Sequence, residues 1–64
     1  MALSSMSRVK CISSGYEFMG FYQGGIYLCI GEIANMAGHY AIVNNKGLVI
    51  SGIHDDAFIL ANSD

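Results

Sequence analysis

The sequence predicts an all-β fold, a small barrel of five short strands. Three observations predict it: short runs that alternate or are rich in β-branched and aromatic residues, glycine and asparagine between those runs, and no helical period long enough to stand alone. The chain has 64 residues and contains no Pro and no Trp, which bounds it to one domain. Hydrophobic residues make up 53% and charged residues only 12%, against about 45–50% and 25% in soluble domains. Folding at this length removes only about 60% of the unfolded chain's surface. Some of the apolar excess is therefore expected to face a partner.

Residues 1–7, with Ser4, Ser5 and Ser7 around Met6, show no period and are expected to form a flexible tail. The barrel is expected over residues 8–60. Arg8 to Ile12 alternates, with Val9 and Cys11 on one face and Arg8, Lys10 and Ile12 on the other, as a first strand. Residues 13–25 interleave Gly15, Gly20, Gly24 and Gly25 with Tyr16, Phe18, Phe21 and Tyr22. No regular element is expected there, only a long aromatic loop. Ile26 to Gly31 is β-branched and aromatic between glycines and reads as the second strand. Residues 31–38 hold Glu32, Ala34, Met36 and Ala37, which favour helix, but eight residues closed by glycines are too few for a stable one. A turn is expected instead. His39 to Asn44 and Leu48 to Ser51 flank Asn45-Lys46-Gly47, where Asn tolerates left-handed angles and Gly supplies them without steric cost, so a hairpin joins the third and fourth strands. Ser51 to Asp56 reads as a turn in which Asp55 or Asp56 caps a 3₁₀ turn into Ala57. Phe58 to Leu60 is the fifth strand, and residues 61–64 form a second tail. A long loop after the first strand, a tight hairpin between the third and fourth, and a 3₁₀ turn before the fifth together describe an SH3-like barrel. Closure would also hide the strand edges.

Val9-Lys10-Cys11-Ile12, Gly25-Ile26-Tyr27, Tyr40-Ala41-Ile42-Val43-Asn44, Gly47 and Phe58 resemble a group of small phage and prophage proteins of SH3-like fold. The similarity covers most of residues 8–60. It implies a phage-encoded accessory protein in the host cytoplasm and no defined reaction. Leu48, Val49 and Ile50 depart from the pattern, since a polar or aromatic strand is expected after Gly47.

Composition and charge narrow the function classes. Three basic residues, Arg8, Lys10 and Lys46, against five acidic ones give a net charge of −2, whereas backbone-directed nucleic-acid binding needs many cations on one face. Nucleic acid is therefore not the expected partner. The apolar runs at residues 26–30 and 48–50 are far shorter than the roughly 20 residues that span a bilayer, and no membrane partner is expected. The first residues lack a signal peptide's basic and apolar regions, so the expected location is the cytoplasm, with Cys11 and Cys29 as reduced thiols. Cys11, Cys29, His39 and His54 lack the close pairing of structural zinc ligands. His54-Asp55-Asp56 reads as a solvated, capping turn. With no nucleophile beside an oriented base and little room for a cleft, no catalysis, metal or cofactor is expected.

Two surfaces remain as candidates. In the loop, Phe18 or Phe21 is expected to plug the open end of the barrel, leaving the other aromatics exposed for a partner. Tyr16, Phe18, Phe21, Tyr22 and Tyr40 are the protein-binding candidates, with Tyr16, Tyr22 and Tyr40 as groove walls by analogy with SH3 domains. In the hairpin both alternating faces are apolar, and Leu48 and Ile50 are the candidates for self-association into a homodimer or larger oligomer. The expected function is thus binding of a host or phage protein, as an accessory or inhibitor protein. Base stacking by Tyr16, Tyr22 and Tyr40 on single-stranded nucleic acid, or a self-assembling structural subunit, is the alternative.

Overall fold

Alternation puts Val9 and Cys11 on one side of the first strand, and the core is built on that side. In the computed structural model, which describes residues 6–61, the strands are β1 (Ser7–Cys11), β2 (Ile26–Glu32), β3 (His39–Val43), β4 (Val49–His54) and β5 (Phe58–Leu60). They form one antiparallel sheet in the order β4-β3-β2-β1-β5. All five expected strands are present. The expected tails lie outside the described residues except for Met6, Ser7 and Ala61, and Ser7 belongs to β1.

Strand ends differ from expectation by one residue at both ends of β1, at the ends of β2 and β3 and at the start of β4, and two larger differences have local reasons. β4 runs on to His54, through the expected turn, because a bulge absorbs one residue. Tyr40 pairs with Ile53 and Ile42 with Ile50, so two steps on β3 oppose three on β4. Gly52 sits in that bulge at φ +82°, an angle that costs a side chain-bearing residue energy. The aromatic loop also contains a 3₁₀ turn over Glu17–Met19, closed by Gly20 at φ +91°.

Register sends Val9, Cys11, Cys29, Tyr40, Ile42, Ile53 and Phe58 to one face of the sheet, where each is at most 3% exposed. Phe21 from the loop and Ala57 from the second 3₁₀ turn (Asp55–Ala57) complete this core. The Phe21 ring centroid lies 5.0 Å from Tyr27 and 5.3 Å from Phe58, edge to face in both cases. Tyr16 adds an edge contact on Phe58 at 6.3 Å. Such pairs contribute about 0.5–1.5 kcal/mol each beyond the area they bury.

Among the described residues no ladder joins β4 to β5, so the sheet keeps two edges where a closed barrel was expected. Both are blunted. β5 has only three residues, and the bulge interrupts β4, which leaves little flat edge for another strand to pair with.

Both thiols are free and buried in the core. Desolvation raises the pKa of Cys29, opposed by a weaker backbone hydrogen bond from Gly31. The folded thiol thus stays neutral at a pH where the unfolded one, at its ordinary value of 9.0, ionises. Its contribution to stability is whole below that pH and falls as pH rises through it, by at most about 1.4 kcal/mol per pH unit. Denaturant titrations across this range should show a loss in the native protein that is smaller in Cys29→Ala. An equal slope in both would assign the loss to another group.

A candidate binding cleft between the aromatic loop and the hairpin

The residues that follow β3 organise both sides of one cleft. Asn44 Oδ1 accepts the backbone N–H groups of Lys46 and Leu48 at 2.9 and 3.0 Å, which folds the expected Asn45-Lys46-Gly47 turn. The Leu48 carbonyl accepts the Asn44 N–H at 2.8 Å, and Gly47 takes φ +80°. This is the three-residue hairpin that an Asn followed by a left-handed Gly favours.

The same Asn44 reaches out of the hairpin. Its Nδ2 donates to the Met19 carbonyl at 2.8 Å, and the Asn45 N–H donates to the Gly20 carbonyl at 3.1 Å. These two bonds dock the 3₁₀ turn of the aromatic loop on the hairpin. Gly20 is required at the contact, because a Cβ there would lie 2.6 Å from Asn45 Oδ1 and 2.8 Å from Asn44 Nδ2. At its far end the loop is tied to β2: Tyr27 Oη accepts the Tyr22 N–H at 2.8 Å. The loop therefore has a defined shape rather than the freedom its glycines suggest.

Between loop and hairpin lies an open cleft of about 330 Å³. Phe18, Met19 and Tyr22 line the loop side, Leu48 and Ile50 the hairpin side, and Glu17 and Lys46 supply one charge of each sign. Phe18 is 84% exposed, Leu48 59% and Tyr22 48%. Large apolar side chains exposed together beside a concavity are the composition of a binding surface.

The candidate residues divide accordingly. Phe18, Tyr22, Leu48 and Ile50 come together in the cleft, although they were assigned to two separate surfaces. Phe21 and Tyr40 do not belong to a binding surface: they are 0% and 1% exposed. Phe21 is the plug, because its neighbour Phe18 rides on the outer side of the 3₁₀ turn, and Tyr40 follows the inward alternation of β3. Tyr16 is half-buried against the core, so Tyr16, Tyr22 and Tyr40 form no common stacking surface. Ile50 also packs on the core, so Leu48 and Ile50 do not form an outward strand face for self-association. Met19, Asn44 and Asn45 were not among the binding candidates. Asn44 was legible only as the end of the third strand, since its bond to Met19 joins positions 25 apart in the chain.

The possible metal ligands separate into two places. The two thiols lie in the core, while His39 and His54 face each other across β3 and β4 with ring centroids 4.9 Å apart. His54, not an aspartate, caps the second 3₁₀ turn: its Nδ1 accepts the Asp56 N–H at 3.1 Å. β4 extends to His54 and places the aspartates inside the first turn, one position too late to cap it. The carboxylates of Asp55 and Asp56 lie 3.3 and 3.4 Å from the same Nδ1, and the ligand atoms of all three residues fall within 4.8 Å of one another. Neighbouring side chains thus converge here. Asp56 is 88% exposed, as a solvated capping turn requires.

Comparison of the chain with protein-family models, with curated proteins and with solved structures finds no match in any of the three.

Proposed function

We propose that this chain is a protein-binding module of SH3-like type, a phage-type accessory protein that engages a host or phage protein through the cleft between the aromatic loop and the β3–β4 hairpin. The strand order β4-β3-β2-β1-β5, the long loop after β1 and the 3₁₀ turn before β5 support the fold reading. Phe18 carries the binding reading. It is the most exposed of the large hydrophobic side chains described, yet its loop is held by bonds to Asn44, Asn45 and Tyr27. A pre-organised aromatic anchor loses little entropy on binding, and a few such residues carry most of an interface's energy. The action is steric and needs no reaction: a bound partner has one of its own sites covered in the host cytoplasm.

Phe18→Ala and Tyr22→Ala are expected to change folding stability by no more than about 0.5 kcal/mol each, as surface substitutions do. Each should weaken binding by about 2 kcal/mol, roughly 30-fold. Affinity capture from bacterial lysate, followed by titration of the captured protein, measures this. Full retention of the partner by both variants would remove the cleft as the binding surface.

A further inference from the structure

The sheet face turned away from the core has a chemistry of its own. Cross-strand register sets Val49, Val43, Leu28 and Arg8 in one row over four strands, and Ile26, Lys10 and Ile59 in the next. Ile26, Leu28, Val49 and Ile59 are between 37% and 58% exposed. Lys10 is exposed and stands in register between two isoleucines, a setting in which a lysine lays its aliphatic stem along apolar surface and keeps its ammonium in water. A shallow hollow of about 450 Å³ opens beside Arg8, Ile26, Tyr27 and Leu28.

Charge is segregated around this face. Two of the chain's three cations stand on it, and the carboxylates found close to a basic side chain among the described residues, those of Asp55 and Asp56, lie against His54 and not against either cation. The described carboxylates lie off the two rows, although Asp55 and Asp56 stand beside His54, which pairs with His39 on this same face of β3 and β4. Glu17 lines the cleft, Glu32 accepts the Gly38 N–H, and Asp55 and Asp56 sit in the second 3₁₀ turn.

We propose that this face is a contact surface for an anionic lipid bilayer. Its two rows consist of aliphatic and cationic side chains alone. Tyr27, which also lines the hollow, packs edge to face on Phe21 and Phe58, and neither row holds an aromatic ring on which a nucleic-acid base could stack. Anionic lipid offers phosphates at the level of the two cations and an apolar boundary beneath them for the aliphatics. Among the described residues no helix is long and apolar enough to cross a membrane, but a surface contact needs none. With two cations the association is weak, reversible and sensitive to salt. It is independent of the cleft.

Co-sedimentation of the full chain with vesicles tests this. Binding is expected to mixed phosphatidylcholine–phosphatidylglycerol vesicles at low ionic strength, not to phosphatidylcholine alone, with release as salt is raised. Removing both charges in the double variant Arg8→Gln, Lys10→Gln should weaken partitioning about 30-fold, roughly 5-fold per cation, and Leu28→Ser should weaken it as well. Circular dichroism checks that each variant folds, and the salt titration of the native chain reads the same charge dependence without any substitution. No co-sedimentation at low salt, or equal binding to neutral vesicles, overturns the proposal. A dimer in solution that Leu28→Ser converts to monomer also overturns it, by assigning the face to a second copy.

Discussion

Phe21→Ala is expected to leave the chain largely unfolded at room temperature. The side chain is 0% exposed and stands edge-on to both Tyr27 and Phe58. Truncating a fully buried Phe costs about 3–5 kcal/mol, as lost transfer energy and as the cavity left behind. A single core in a domain of this size supplies only about 3–5 kcal/mol of net stability, so this substitution removes most or all of it. The neighbouring Phe18→Ala, on the outer side of the same loop, should leave the denaturation midpoint almost unchanged. Urea unfolding of the two variants side by side measures the contrast, and a folded Phe21→Ala would show that Tyr16 or Met19 collapses into the space. The pair also separates a loss of binding from a loss of fold.

Asn44→Ala is expected to have the second-largest effect, on both stability and binding. The substitution removes one donor and one acceptor that together make three hydrogen bonds, to Met19, Lys46 and Leu48. Each bond contributes about 0.5–1.5 kcal/mol, and partners left unsatisfied cost more, so a loss of about 2–3 kcal/mol is expected. Asn44→Asp divides the two roles. It keeps an acceptor for the Lys46 and Leu48 N–H groups but cannot donate to the Met19 carbonyl, so the turn should survive while the loop loosens. In an amide hydrogen-exchange experiment the Asn44→Asp protein should keep protection at Leu48 and lose it at Asn45, whose N–H bonds Gly20 across the cleft. Unchanged protection at both sites would show that packing, not Asn44, holds the loop. On the proposed function, the same variant should bind its partner less well although Phe18 and Tyr22 are intact, because the anchor is no longer pre-organised.

Much of the fold was legible because strands declare themselves locally. Val9 and Cys11 alternate with Arg8 and Lys10, and that period alone placed the first two in the core. Asn45-Lys46-Gly47 marked its hairpin, and Phe58 to Leu60 was placed to the residue. The bulge at Gly52 was not legible. An isolated glycine within an apolar run is equally consistent with a turn, and only pairing with β3 makes the extra residue a bulge. The fate of the sheet edges lay further out of reach, since closure depends on the curvature of all five strands together.

The candidate site divides along the same line. Composition determined that this chain has more apolar side chains than its core can hold, that Phe18 and Tyr22 stand in a glycine-rich loop, and that few charges are present to attract nucleic acid. Tertiary structure decided which aromatic goes inside. Phe18 and Phe21 are three residues apart in a loop without a long regular period, so no pattern separates them; the 3₁₀ turn turns one outward and aims the other at Tyr27 and Phe58. It also merged the loop and the hairpin into one cleft and set Arg8 and Lys10 in register with Ile26, Leu28 and Ile59 on the far face. The physical reason is one of range: alternation and turn chemistry act between neighbours in the chain, whereas the bond from Asn44 to Met19 and the rows across the sheet exist only after distant segments have met.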